Sequence, residues 1–488
     1  MRKNKKLIAL VVSISLILGL CSCGNKAAKK SSGDVTNIEW YVMGTRQQDQ
    51  DTVIEEFNKI LNEKYKLNLE LNVVDAGAYN DKMNMIMASN TPYDLCWTSN
   101  WSNPFTTAAV SGAFYAIDDL LAEKNKALYD ALPEFVWDDA KVDGKIYAVP
   151  NYQVYYNQPA ALITERFVKK YNIDTENLKS VYNFEPVLKT LYENEKDIFT
   201  ISPVSFTGIT LNEKYQRFGN ASFVAVEKLS DGSLKAYSTH ELPEYLKELE
   251  LYRDWYNKGY IRKDIISASS ENAADTQALR YGVWYGSIKP GSDALNLQTY
   301  GENIVAVPLT EPLIKPGAGQ ATMNAVSNAS EHPEEALKLL EIMNTDKELY
   351  NLMCFGIEGT HYEKISEKTV RSIAEGNKVY NPNLDWVYGN QFNAYLREGQ
   401  AEDTWEVTDK INKEAEVSFL RGFNLDLDPI KTEVAKINSV LSEYDYINLG
   451  AEDVVAAWNE RSEKLKLAGI DTVVNEVQKQ LDAWAANK

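Results

Sequence analysis

The chain has 488 residues, of which 70 are acidic and 51 are lysine or arginine, for a formal net charge of −19. That balance repels nucleic acid and anionic lipid, and no basic stripe reverses it, so nucleic acid is excluded as a partner. With 44% hydrophobic residues the chain can bury more than one core, and its length calls for two or more domains.

Arg2, Lys3, Lys5 and Lys6 open the chain, and an apolar run follows from Leu7 to Leu20. The run is shorter than the roughly twenty residues a membrane span needs, and it fits the hydrophobic region of a signal peptide. It ends in Leu20-Cys21-Ser22-Cys23. Cys23 follows a small residue and has Leu20 three places before it, a pattern that resembles the bacterial lipobox, whereas Cys21 follows the bulky Leu20. Residues 1–22 therefore read as a lipoprotein signal peptide and Cys23 as the lipidated residue. Their removal takes away four cations and moves the formal charge from −19 to −23. Residues 23–36 begin small and polar, too poor in large apolar groups to fold, and read as a flexible tether. The expected location is the outer face of the bacterial cytoplasmic membrane, with the lipid at Cys23 as the only membrane contact.

Residues 38–43 read as a strand, and Val53, Phe57, Ile60 and Leu61 then recur at helical spacing. Leu67, Leu69, Leu71 and Val73 alternate as a half-buried strand. Tyr79, Met83, Ile86 and Met87 mark a second helix, and residues 93–97 a third strand. The order β-α-β-α-β implies a mostly parallel sheet covered by helices, with ligand beyond the carboxyl ends of the strands. That places the loops 44–50, 75–79 and 98–104 at a site. Further on, residues 242–258 read as a helix with Tyr245, Leu249, Tyr252 and Tyr256 on one face, and residues 304–308 as a short strand. Pro333 opens a helix that turns Ala336, Leu339, Leu340 and Met343 inward. The last helix carries Val474, Val477, Leu481 and Trp484. No long linker follows residue 36, so two lobes require a chain that passes back and forth between them.

Beyond the leader only Cys96 and Cys354 remain, both among apolar neighbours, and they read as buried free thiols. His240, His332 and His361 stand apart from one another, so no histidine-based metal site is expected, and no cofactor is implied. Asp426-Leu427-Asp428 starts like a calcium loop but lacks the glycine and the closing glutamate. There is no G-x-S-x-G elbow, P-loop or H-E-x-x-H segment. With 70 acidic residues, a pair of carboxylates spaced for glycoside hydrolysis carries no information.

Asp143-Gly144-Lys145-Ile146-Tyr147-Ala148-Val149-Pro150, followed by Tyr155-Tyr156-Asn157, resembles a segment of the family 1 extracellular solute-binding proteins of ABC importers. Residues 331–353 resemble the helix pair of the same family, with His332 in place of the usual Asn. Residues 354–362 and Gly389-Asn390-Gln391-Phe392 resemble a narrower subgroup of long Gram-positive lipoproteins with an extra C-terminal region. The resemblance implies an α/β fold of two lobes, the type II arrangement of periplasmic binding proteins, with ligand in the cleft between them. Mapped here, the first lobe takes residues 37–150 and 304–353, and the second takes 151–303 and 354–488. It also implies a monomer that hands its ligand to ABC permease subunits and catalyses nothing.

A carbohydrate suits the 29 Tyr and 10 Trp, because sugar rings present apolar faces that stack on aromatic rings and hydroxyls that bond to amides. The candidate ligand residues are Arg46 and Gln47 after the first strand, and Trp97, Asn100 and Trp101 after the third. Asn151, Gln153 and Tyr155 lie at the first crossover, as ligand contacts or hinge braces, and Trp284 and Tyr285 in a turn-rich segment. Glu358 is expected at the third crossover. Trp386, Asn390 and Gln391 enter through the subgroup motif, on the wall opposite Trp97 and Trp101. A non-sugar solute such as a peptide, on the same fold, and a secreted glycosidase are the alternatives. The mature protein is expected to begin at Cys23 with a diacylglycerol on its sulfur. Mass spectrometry of the N-terminus checks this, and an unmodified Cys23 or a start at Cys21 or beyond residue 24 would overturn it.

Overall fold

The computed structural model describes residues 35–219, 221–268, 272–451 and 453–486. The expected signal peptide, Cys23 and all but the last two residues of the expected tether lie outside them. The described chain opens on strand Thr36–Met43, which buries Ile38, Trp40 and Val42 on one face, and strand Leu67–Val74 does the same with Leu67, Leu69 and Leu71. Helix Gln50–Tyr65 between them buries Val53, Phe57 and Leu61 at four-residue spacing and stops at Lys66, whose φ is 57°. The two strands run parallel with Thr36 opposite Leu67 and Met43 opposite Val74, and Leu95–Thr98 joins on the other side, also parallel. Strand Met323–Val326 arrives from far along the chain, pairs antiparallel with Leu95–Thr98, and is flanked by Val149–Pro150. This five-stranded sheet is the centre of the first lobe. Helix Pro333–Thr345 packs onto it with the inward residues the spacing predicts. Asp346 then caps helix Lys347–Phe355 by accepting from the backbone N–H groups of Glu348 and Leu349. Cys96 and Cys354 lie buried and unpaired in this lobe. Burial pushes the Cys96 thiol up to about 12 and Cys354 well above its ordinary range.

The second lobe has a four-stranded sheet in the order Ile304–Pro308, Pro159–Thr164, Tyr281–Ser287, Phe199–Ile201. Pro159–Thr164 is buried at every position and runs antiparallel to both neighbours. A three-stranded antiparallel sheet, Tyr215–Phe218, Ala221–Lys228 and Leu234–Ser238, shares a separate core with helices Lys431–Glu443 and Ile470–Ala485. The last helix buries Val473, Val477 and Leu481, while Val474 and Trp484 are partly buried at its margin.

The lobes divide the chain differently from the sequence mapping. Residues 304–308 form a strand as expected, but it pairs with Pro159–Thr164 in the second lobe, not in the first. Residues 354–415 stay on the first lobe, because Leu384, Val387, Tyr388 and Ala394 are buried in the same core as Trp40 and Trp97. The chain therefore crosses at about 151–158, 309–322 and 415–421. Those three connectors bond side by side. Asn157 and Leu313 exchange backbone hydrogen bonds of 2.9 and 3.0 Å, Glu416 N–H donates to Pro312 O at 3.2 Å, and Ser418 N–H donates to Ile314 O at 2.9 Å.

All three also meet one buried carboxylate of the first lobe, Asp139. Its Oδ2 accepts from Tyr155 Oη at 2.5 Å and from Gly319 N–H at 3.2 Å, and lies 3.6 Å from the Arg421 guanidinium. Arg421 further donates to the carbonyl of Phe135 and stacks over its ring. A methyl group at Gly319 would lie 1.9 Å from Tyr155 Oη, so the approach requires glycine. Burial raises the pKa of Asp139, and the Tyr155 hydroxyl and Arg421 pull against it. Asp139→Ala would leave both partners short of an acceptor, and should destabilise the protein by about 3 kcal/mol or more. Denaturant unfolding measures this, and a loss under about 1 kcal/mol would mean that the connectors hold without the carboxylate.

Candidate functional site

Ser99 decides how the loop after the third strand is aimed. Its Oγ accepts the backbone N–H of Trp101 at 3.2 Å and of Ser102 at 2.8 Å, turning the chain so that Trp97 points inward and Trp101 outward. Trp97 is 0% exposed and Trp101 is 57% exposed. Half-buried Trp386 joins them, its ring 6.5 Å from Trp101 at 35° and 5.8 Å from Trp97 at 84°. Trp97 is thus an edge-on support, 5.2 Å from Trp101, under two accessible indoles. The Trp101 Nε1–H donates to Ala321 O at 2.9 Å, and Asn100 donates from its backbone to Gln320 O and from its side chain to Gly317 O. The platform therefore lies directly on the second connector.

A buried polar network holds it there. Thr322 Oγ1 accepts from Trp97 Nε1 at 2.8 Å and from Asn151 Nδ2 at 2.9 Å, and donates to Trp386 O at 2.9 Å. Asn151 Nδ2 also reaches the Val387 carbonyl at 2.7 Å, and Asn324 ties Asn151 Oδ1 to Trp40 Nε1. Each member has its partners, so the network fixes geometry at little net cost.

The sequence candidates separate accordingly. Trp97, Asn100, Trp101, Asn151 and Trp386 come together, but Trp97 and Asn151 are enclosed and act as supports. Trp386 stands on the first lobe beside Trp101, not on an opposite wall. Asn390 caps its own turn by accepting from Phe392 N–H, and Gln391 donates to Asp385 at 2.7 Å, so neither amide is aimed at the platform. Gln47 accepts from Asn381 N–H in the loop whose Asn383 carbonyl receives the Trp386 indole N–H. Arg46 is exposed and paired with Asp51. Tyr155 belongs to the Asp139 junction, and the Gln153 carbonyl accepts from Asn412. Glu358 lies away from any crossover, exposed and paired with Lys364.

Trp284 and Tyr285 do share a cavity, on the second lobe. It measures about 260 Å³ beyond the carboxyl end of strand Phe199–Ile201, lined also by Ser205, Asn272, Gln277 and Tyr300. Trp284 is buried, its Nε1 has no partner among the described residues, and Tyr300 meets its ring edge-on. Tyr285 packs on Phe206 of the loop after that strand.

The two-lobed α/β fold agrees with comparisons to known proteins. Residues 45–349 match the sequence model of the bacterial extracellular solute-binding proteins. The chain belongs to that family. It is 30% identical, over 97% of both chains, to a carbohydrate ABC transporter substrate-binding protein of Streptococcus pneumoniae. The crystal structure of the N-glycan transport solute binding protein NgtS from Streptococcus pneumoniae superposes with a TM-score of 0.80 at 27% identity, over 93% of this chain and 99% of that one. The complex of NgtS with Man5GlcNAc gives 0.69 at 28% identity over the same shares. Residues 419–486 match a domain of unknown function, which begins two residues before Arg421. As a solute-binding protein of the ABC transporter type, the chain is a binder and not an enzyme.

Two groups that hold this solute-binding protein's platform escaped the sequence reading. Thr322, on the second connector, and Asn383, three residues before Trp386, act through a hydroxyl and a backbone carbonyl, and no motif marks either. Trp101→Ala is expected to leave stability within about 1 kcal/mol. It should weaken sugar binding by about 1–3 kcal/mol, roughly ten- to a hundredfold. Trp97→Ala should instead cost stability, by about 3–5 kcal/mol. Calorimetry and melting on the same variants separate the two, and unchanged affinity in both Trp101→Ala and Trp386→Ala would remove the platform from the site.

Proposed function

We propose that this solute-binding protein captures an oligosaccharide in the cleft between its lobes and delivers it to the permease of an ABC importer. It does so as a monomer, at the outer face of the bacterial cytoplasmic membrane, tethered through a lipid on Cys23. The observation that carries the reading is the pair of accessible indoles, Trp101 and Trp386, laid on the second connector by hydrogen bonds from Trp101 and Asn100. Two tilted indoles offer apolar faces to consecutive sugar rings, and an open cleft leaves the rims of those rings to water or to the other lobe. The carbohydrate transport role of the pneumococcal relative and the N-glycan complex of NgtS support the same cargo class. Side-by-side connectors permit the lobes to swing about them, so ligand that touches both lobes favours the closed form, which is the form a permease would select.

The test is a panel of oligosaccharides, Man5GlcNAc among them, screened by melting temperature and followed by calorimetry. At least one is expected to bind at roughly micromolar affinity, about −8 kcal/mol. At a hundredfold excess over Kd that ligand stabilises the fold by about 2.7 kcal/mol. Every bound sugar should be recovered intact. Hydrolysis products that scale with protein and survive repurification would overturn the reading.

A further inference from the structure

Each of the two accessible indoles is held by one carbonyl, and the two carbonyls come from unrelated parts of the chain. Trp101 donates to Ala321 O at 2.9 Å, on the second connector, which the buried network around Thr322 keeps in place. Trp386 donates its Nε1–H to Asn383 O at 3.1 Å. Its backbone is fixed by Thr322, but a half-buried ring still turns about its side-chain bonds. Edge contact with Trp97, 5.8 Å away, limits that turning, and the bond to Asn383 selects one angle within it. Asn383 stands in a loop with little to hold it. It is exposed, has a φ of 52°, and follows Pro382, which has no N–H to give. Among the described residues, one hydrogen bond ties residues 381–383 to a distant part of the chain. Asn381 N–H donates to Gln47 Oε1 at 3.0 Å.

Gln47 is itself oriented for that bond. Its Nε2 donates to Thr45 O at 2.8 Å, which turns the amide so that its oxygen meets Asn381. Two residues on, Asp49 N–H donates to Val379 O at 3.1 Å, so the loop after the first strand grips the approach to Trp386 at two points. Asp49 is held in turn by buried His361. The His361 Nδ1 accepts from Ile357 N–H, which leaves the ring proton on Nε2 to be donated to Asp49 Oδ2 at 3.3 Å. Backbone groups engage both the oxygen and the nitrogen of the Gln47 amide, so the side chain serves the loop before it can serve a ligand.

We propose that Gln47 is a positioning residue for sugar binding, which sets the 35° tilt between Trp386 and Trp101 through Asn381 and Asn383 without touching the ligand. This rests on the proposed capture of sugar and adds what fixes the shape of the platform. Consecutive rings of an oligosaccharide are inclined to one another by their linkage. A platform of fixed tilt favours linkages whose rings match it, because no ordering of the indoles is needed when they bind. Gln47 thereby takes part in the choice among linkages from outside the contact surface.

The first test uses the unliganded mature chain. Neighbouring indoles couple their far-ultraviolet transitions, and the resulting circular dichroism couplet depends on their mutual angle. The share of that signal owed to Trp386 is the difference between the native chain and Trp386→Ala. Gln47→Met matches the side chain in length but offers Asn381 no amide oxygen, and it is expected to remove at least half of that share. Gln47→Glu keeps an acceptor for Asn381 N–H and should retain most of it. Gln47 is only half-buried, so neither change threatens the fold, and melting temperature checks this. The second test is a double-mutant cycle read by calorimetry with Man5GlcNAc. Gln47→Met should weaken binding roughly three- to tenfold in the native chain, and by less than about twofold once Trp386→Ala is present. An undisturbed couplet in Gln47→Met would overturn the proposal. So would losses that multiply in the double variant, since Gln47 would then act on the sugar directly. Binding that ignores Trp386→Ala while the couplet changes as expected would remove sugar from the platform and leave the hold of Gln47 on Trp386 standing. A native chain that binds no Man5GlcNAc would count against that cargo alone, and the couplet would then decide the role of Gln47.

Discussion

The Asp139 carboxylate is the point on which both lobes depend. A two-lobed binder must let its halves move while keeping the strands that join them in register, and here each joining strand is also tied to one acceptor. The hydrogen bonds between connectors run along the backbone and fix their spacing. Asp139 fixes their position against the first lobe. A carboxylate in so dry a place is costly unless several donors surround it, and each donor comes from a different passage of the chain. Arg421 has a further consequence, since it stands at the entry to the C-terminal helices. The extra C-terminal region is therefore not an appendage to the second lobe alone. Its first residues hold Phe135 and Asp139 on the first.

That anchoring explains why the aromatic platform belongs with the first lobe. The second connector leaves the Asp139 junction at Gly319, carries the carbonyls that position Asn100 and Trp101, and enters the sheet at Thr322. Within four residues it changes from junction to platform support to sheet core. The network around Asn151 and Asn324 then fixes the backbone beside Trp386, which arrives from a segment more than sixty residues later. If sugar stacks here, its contacts on this side are preorganised, and the cost of ordering falls on the second lobe and its approach.

Much of the local structure was legible from residue spacing. The parallel opening of the first sheet, helix Gln50–Tyr65 and helix Pro333–Thr345 follow from patterns that need no partner to be recognised. Lobe membership did not follow, because it depends on which distant strand supplies the pairing. Ile304–Pro308 reads as a strand in either lobe, and only its register against Pro159–Thr164 decides. Trp97 and Trp101 look alike in sequence, and what separates them is a hydroxyl, Ser99 Oγ, that turns the backbone between them. The amides Asn390 and Gln391 look like ligand groups beside Trp386 in sequence, but short-range partners claim them first. Thr322 and Asn383 carry no signal in sequence at all, since a hydroxyl or a carbonyl that holds a ring is visible only when its surroundings are known.

The two native thiols have a practical consequence. Cys96 and Cys354 are enclosed in the first lobe, and both are held in the protonated, unreactive form. A chain begun after Cys23 would therefore offer no sulfur to a maleimide while folded. Single cysteines placed on exposed faces of the two lobes could be labelled selectively with a fluorophore pair, with no native residue removed. The distance between the lobes would then be readable, molecule by molecule, as the cleft opens and closes.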